Sequence, residues 1–252
     1  MLLRLNNISH FYSYHSLFKV NTREVLSNIN LNIMENENIG LLGLSGCGKS
    51  TLAKVIAQLE KPKNGEILLD NKIVNIKSLA ERKKFYSKVQ ILFQDSISSL
   101  NPRYNILQNL QEPLDYLLNV PKSKQMEHIL PLLDSLKLSK NILYKYPSML
   151  SGGQAQRICI ARAFLIKPKF IIFDEVTSNL DYMLQDEVLA LFLSLQKQNK
   201  CSCLFITHDI VLARKFCDTL ILMQEGKIIE TINQNSTFQT HLGKEFELCV
   251  FK

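Results

Sequence analysis

Gly43-Leu-Ser-Gly-Cys-Gly-Lys-Ser50, with Thr51 after it, fits the pattern G-x-x-x-x-G-K-[ST]. Ile39 to Leu42 before it is a short apolar run that reads as a buried strand. Ser50 to Leu59 after it has helical spacing, with Leu52, Val55, Ile56 and Leu59 on one side, until Pro62 and Asn64-Gly65 stop it. Strand, glycine turn and helix open an α/β nucleotide-binding fold. The residue types follow from the ligand. Gly43, Gly46 and Gly48 let the backbone curl, so that N–H groups through Ser45 and Cys47 point inward at phosphate oxygens. The following helix adds about half a positive charge at its amino end. Lys49 is placed to reach the β and γ phosphates, and Ser50 to ligate Mg²⁺.

Farther along, Phe170 to Phe173 reads as a buried strand that ends in Asp174-Glu175. Two carboxylates then stand at the carboxyl edge of a parallel sheet, where ligands bind. Asp174 can hold Mg²⁺ through water, and Glu175 can polarise an attacking water as general base or as orienter. Leu150-Ser-Gly-Gly-Gln154 opens an apolar helix, so Ser151, Gly152 and Gly153 form a second amino-terminal anion site. One nucleotide cannot easily use both sites. Two copies packed head to tail can, each ATP lying between the phosphate loop of one and the Ser-Gly-Gly of the other.

The rest of the chain reads as an α/β protein with a helical insertion. Leu3 to Ser9 and Leu26 to Ile33 alternate as half-buried strands, and Val89 to Phe93 is another strand. From about Ser96 to Ile166 the signals are helical. Then come a helix over Leu184 to Leu195, a strand over Cys203 to Ile206 and a helix over Ile210 to Phe216. A hairpin follows, turning at Glu225-Gly226, and the last twenty or so residues show no pattern.

Composition bounds the function. The chain has 252 residues, 46% hydrophobic and 21% charged, which excludes global disorder, while only 9 Gly and 7 Pro exclude a collagen-like chain. The apolar stretches are short or broken by Arg162, and none approaches the roughly 20 residues of a membrane span. The amino terminus lacks the marks of a secretory signal, which points to the cytoplasm. No cysteine pair has C-x-x-C spacing, and Cys201 with Cys203 reads as buried packing. The net charge of +7 is spread in small groups with no Trp, which reads as a solvated surface that can face anionic lipid and not as a nucleic-acid footprint.

With these motifs in hand, the chain resembles the ATP-binding subunits of ABC transporters from about Leu3 to Glu230. The motifs stand in that family's order: phosphate loop at Gly43 to Thr51, Q-loop at Gln94, signature at Leu150 to Gln154, acidic motif at Phe170 to Glu175, D-loop at Ser178-Asn-Leu-Asp181, and switch histidine at His208. The resemblance implies one ATP-binding domain over 1–252. It would comprise a RecA-like core with an antiparallel β subdomain (1–94 and 167–230), a helical subdomain (about 95–166) and a short tail (231–252). It implies that Gln94 touches Mg²⁺ and the attacking water, that His208 meets the γ-phosphate, and that Asp181 works across the dimer. It also implies an aromatic under the adenine; Tyr12 is the choice, with Phe11 and Tyr14 as rivals.

Within the family, Phe93-Gln-Asp-Ser-Ile-Ser-Ser-Leu-Asn-Pro-Arg103 and Leu204-Phe-Ile-Thr-His-Asp209 are most similar to the nickel branch of the peptide and nickel importers. Val176 in place of the usual proline and Asn179 in place of the common alanine agree with that branch. The resemblance implies a peripheral subunit on the cytoplasmic face of the membrane. Its partners would be two transmembrane permease subunits, a second ATP-binding subunit (related or identical) and, indirectly, an extracytoplasmic substrate-binding protein. Oligopeptide or dipeptide import is the alternative cargo. A soluble ABC ATPase of DNA repair or translation would need a coiled coil or two phosphate loops in one chain, and this chain has one loop and no sustained heptads. A non-hydrolysing module is disfavoured by Glu175 and His208.

Overall fold

The computed structural model describes residues 1–16, 19–176 and 182–248. They form two compact units, one made of Met1–Asn75 with the chain from Ser202 onward, the other of Ile76–Cys201.

The first unit begins with β1 (Leu3–Ser16) and β2 (Lys19–Ile33), then β3 (Asn38–Leu42), α1 (Lys49–Ile56), β4 (Asn64–Leu69) and β5 (Lys72–Ile73). An antiparallel sheet in the order β2-β1-β4-β5 results. Leu3 and Leu5 face the core by alternation. Register then slips between Leu5 and Ile8, with Asn7 at φ 52°, so that Ile8 and His10 fall on the buried side. An asparagine tolerates that left-handed backbone better than most residues. β4 and β5 are absent from the sequence reading: the Asn64-Gly65 pair signals a turn, yet Asn64 already pairs with Ser9 of β1.

The second unit carries α2 (Leu79–Tyr86), β6 (Val89–Leu92), α3 (Ile106–Tyr116), α4 (Lys122–Ser135), α5 (Gly152–Phe164), β7 (Phe170–Asp174) and α6 (Tyr182–Asn199). Two short 3₁₀ turns, Lys140–Tyr144 and Pro147–Met149, lead into α5. No strand lies between β6 and β7 among the described residues, as the helical signals predict. α5 is the centre of this unit, packed against α3, α4, α6 and β6, with Ile158, Ile160, Ala161 and Phe164 buried. The Phe192 ring of α6 lies 4.7 Å from that of Phe173 and 5.7 Å from that of Phe164, which joins β7 to α5.

The chain then returns to the first unit as β8 (Ser202–Ile206), α7 (Ile210–Phe216), β9 (Thr219–Gln224), β10 (Lys227–Asn233) and α8 (His241–Leu248). β3 lies between β8 and β9, parallel to both, and β10 folds back antiparallel on β9. Ile39, Leu41 and Leu42 of β3 are fully buried, which explains a continuous apolar run where alternation would mark a one-sided strand. The patternless stretch is structured as far as residue 248 and belongs to this unit. Phe238, Leu242 and Phe246 are buried. Arg214 of α7 pairs with Glu247 at 2.5 Å and donates to the carbonyls of Gln234 and Ser236. Glu230 accepts from the Gln239 and Thr240 amides at 2.7 and 3.0 Å.

Candidate functional site

In the first unit the phosphate loop runs from the end of β3 into α1. Gly48 sits at φ 110°, and a Cβ there would come 2.8 Å from the Val25 carbonyl oxygen, so only glycine gives both the turn and the close approach. α1 starts without a side-chain cap, which leaves its first N–H groups for a ligand. Lys49 is buried, and its ammonium donates to the carbonyls of Gly43 at 2.8 Å and Leu44 at 3.1 Å. Ser45, Gly46 and Ser50 are exposed, Thr51 is half-buried, and Cys47 packs inward beside Gly43.

The loop is braced from behind by residues that no motif names. The amide of Gly226, in the β9–β10 turn, donates to the Cys47 carbonyl at 3.0 Å, and the Ser27 amide donates to the Gly226 carbonyl at 2.9 Å. A Cβ on Gly43 would fall 2.4 Å from the Met223 carbonyl oxygen. The sequence marks Gly226 only as a hairpin turn; its bracing role needs the fold.

β3 and β8 run parallel with Leu41 opposite Ile206, so the phosphate loop and His208 leave the same edge of the sheet. His208 is exposed. Next to it, Asp209 caps α7 by accepting from the amides of Val211 at 2.8 Å and Leu212 at 3.1 Å. A cavity of about 380 Å³ is lined by Gly43, Leu44, Ser45 and His208 together with Leu242, Glu245 and Phe246 of α8.

Tyr12 also lies in this unit, beside α1. Its hydroxyl donates to Glu60 Oε2 at 2.6 Å, and its ring meets the His10 ring edge-on at 5.0 Å. Burial and the Glu60 carboxylate push the Tyr12 phenol above its ordinary value, partly offset by a hydrogen bond with the Thr51 side chain. Tyr12 is more exposed than the rival Phe11. The side chain of Tyr14 lies outside the described residues, as do Ser178, Asn179, Leu180 and Asp181.

In the second unit, parallel β6 and β7 pair with Leu92 opposite Phe173, so Gln94 and the Asp174-Glu175 pair leave the same strand edge. Asp174 is 7% exposed, while Gln94 is exposed. Glu175 holds the left-handed backbone, φ 48°, which is strained for a non-glycine residue and recurs at functional sites.

α5 ties both segments down. Gln156 donates its amide to the Val176 carbonyl. Cys159 donates to the Ser96 carbonyl at 3.2 Å, and Arg162 to the Ser99 carbonyl at 2.6 Å. Burial pushes the Cys159 thiol up to about 12, so it stays neutral. Asn109 of α3 is fully buried, accepts from the Asn101 amide at 2.8 Å and donates to the carbonyls of Asn101, Tyr104 and Asn105, shaping the loop after Gln94.

At the start of α5, Ser151 Oγ accepts from the Gln154 amide at 3.3 Å and Gln154 Oε1 from the Ser151 amide at 3.2 Å, a capping box. Ser151 and Gly152 are exposed, and nothing lies within 4 Å of a Cβ built on Gly153.

Comparison with known proteins agrees with this architecture. Residues 26–178 match the family model described as ABC transporter. The chain is 40% identical over 252 residues to the nickel import ATP-binding protein NikE of Escherichia coli (strain K12), covering 99% of this chain and 94% of that one. The NikE protein of Shigella boydii serotype 4 (strain Sb227) matches to the same extent. Among solved structures, a dimeric post-hydrolysis state of the ATP-binding cassette MJ0796, bound to ADP and Pi, superposes with a TM-score of 0.83 at 28% identity, over 93% of this chain and all of that one. The cbiO1 protein from Clostridium perfringens, part of the ABC transporter complex cbiONQ, gives a TM-score of 0.78 at 28% identity, over 92% and 88% of the two chains.

Proposed function

The chain belongs to the ABC transporter family, and from that premise we propose that it is the ATP-hydrolysing subunit of a membrane importer whose cargo is nickel. The observation that carries the reading of cargo is the near full-length match to nickel import ATP-binding proteins. Nothing in the chain's own chemistry selects nickel, and among the described residues no group of three or more His, Cys, Asp or Glu could hold a metal. The subunit supplies energy and need not touch the cargo.

In this reading Lys49 leaves the loop carbonyls for the β and γ phosphates. Backbone amides from Gly43 through Thr51 take the remaining phosphate oxygens. Tyr12 supports the adenine. Glu175 orients or deprotonates the attacking water, and Gln94 and His208 contact that water and the γ-phosphate. Ser50, Gln94 and Asp174 would hold Mg²⁺; all three offer oxygen, the donor set a hard cation prefers. When bound, that ion would neutralise charge developing on the phosphates.

Ser151, Gly152, Gly153 and Gln154 would complete the site of an opposing subunit, and Asp181 would act across the same dimer. Two ATP molecules then favour the closed pair by their differential affinity for it, and loss of the γ-phosphate lets it reopen. The partners are two transmembrane permease subunits and a second ATP-binding subunit, this chain or a related one, with an extracytoplasmic substrate-binding protein acting indirectly. No described helix is long and apolar enough to cross a membrane, so the proposed placement is peripheral, on the cytoplasmic face.

The test is uptake of radioactive nickel by cells lacking this chain, complemented with the wild type or with Glu175→Gln. Restoration by the wild type alone supports the reading. Unimpaired nickel uptake in the deletion strain, with loss of peptide uptake instead, would replace nickel by peptides.

A further inference from the structure

The surroundings of Tyr12 hold more than a stacking ring requires. Glu60 is half-buried just beyond α1, and the amides of Leu59 and Glu60 both reach the Lys54 carbonyl, at 2.9 and 3.3 Å. The carboxylate is thus fixed to the helix whose amino end opens the phosphate loop. Its Oε2 accepts from the Tyr12 hydroxyl at 2.6 Å and meets His10 Nε2 at 3.1 Å. Its Oε1 faces the Lys54 ammonium at 3.8 Å. On the other side of the His10 ring, Nδ1 lies 3.1 Å from the Lys61 carbonyl oxygen. Both ring nitrogens therefore face oxygen atoms, one of the Glu60 carboxylate and one of the backbone. The Tyr12 hydroxyl also meets Thr51, in the first turn of α1.

We propose that Glu60 is a positioning residue for base recognition: by holding the Tyr12 hydroxyl, with His10 behind it, the carboxylate fixes the Tyr12 ring at a set distance from the phosphate cradle. The inference rests on the reading of Tyr12 as the adenine platform. A ring anchored only by its Cβ would spend part of its time in other rotamers, and binding a base would have to freeze it. Here Thr51 belongs to the same helix as Lys49 and Ser50, and Glu60 is tied to that helix just beyond its end by its amide hydrogen bond to the Lys54 carbonyl. Base platform and phosphate loop therefore share one rigid support, and the ordering cost is met during folding.

The test is calorimetric binding to the full-length chain, with ATP and with inorganic tripolyphosphate, which offers phosphates and no base. Glu60→Ala and Tyr12→Phe should each weaken ATP by about 3- to 10-fold. Both should leave tripolyphosphate unchanged, and the double variant should be no worse than the weaker single one. Glu60→Gln, which can still accept from the Tyr12 hydroxyl, should restore most of the affinity. In turnover assays the loss should fall on KM with kcat kept.

Equal losses for ATP and tripolyphosphate, or losses that add in the double variant, would overturn the role of Glu60. Tyr12→Ala separates this from the underlying reading. If it weakens ATP while Tyr12→Phe and Glu60→Ala do not, the platform stands and the tether falls. If Tyr12→Ala binds ATP as the wild type does, the platform itself is wrong. Tyr12→Phe removes one hydroxyl from a partly exposed ring, so the test survives if Glu60→Ala does not fold.

Discussion

Around the phosphate loop, the backbone does most of the holding: glycines admit the close approach of the Val25 and Met223 carbonyls, amides of α1 stay open, and the Gly226 amide braces the loop. Around Gln94 and Glu175 the holding is done by side chains, with Gln156, Cys159 and Arg162 reaching out from α5 and Asn109 from α3. The first arrangement constrains residue type at almost every position, so it leaves a motif. The second needs a few buried polar groups of the right length, and such groups look like ordinary surface residues until the fold buries them. The first region is legible and intolerant of change; the second is hidden and fails one bond at a time.

The largest contrast should come from the side chains proposed to act on the phosphates and the attacking water. Glu175→Gln should cut ATP turnover by about 10²- to 10⁴-fold, the usual worth of a general base, with ATP binding retained and a closed dimer accumulating. Brisk hydrolysis by this variant would remove Glu175 from the chemistry. Lys49→Ala should instead act on binding. Losing a charged hydrogen bond to phosphate should weaken ATP by about 10- to 100-fold, and an unchanged Kd would leave the loop without its cation.

Smaller effects test the hidden region. Asn109→Ala strands the Tyr104 carbonyl and the Asn101 amide and should destabilise the chain by about 1–3 kcal/mol in denaturant unfolding, with Kd for ATP kept. If stability were unchanged, the buried amide would be dispensable and the contrast would weaken. The smallest effect concerns thiols. Burial lifts Cys159 and Cys201 to about 12, so neither forms thiolate at neutral pH, and both should resist maleimide in the folded protein. In the unfolded chain these thiols ionise from about pH 9. The folded state holds its protons longer, so their contribution is intact below pH 9 and stability falls as pH rises from there toward 12. Flat stability over that range would contradict their burial.

Much of the fold was readable because its strands and helices follow simple periods. The apolar runs of β3 and β7, the helical stretch between β6 and β7 and the β9–β10 hairpin all lie where the sequence puts them. β4 and β5 escape because the turn residues Asn64-Gly65 belong to a strand and β5 has only two residues. α8 escapes because eight residues with Leu242 and Phe246 as their buried apolar contacts make too short a period to recognise. At the site, Gly43 to Thr51, Glu175 and His208 were visible as motifs. Glu60 and Gln156 were not, because a lone Glu or Gln carries no signal without knowing what stands across from it.

Arg214 grips the carbonyls of Gln234 and Ser236 and the carboxylate of Glu247 from the helix that begins two residues after His208. The last described helix, α8, is therefore tied to the helix that follows the histidine. The helix that lines the cavity beside His208 is thus held in place by the helix that this histidine precedes.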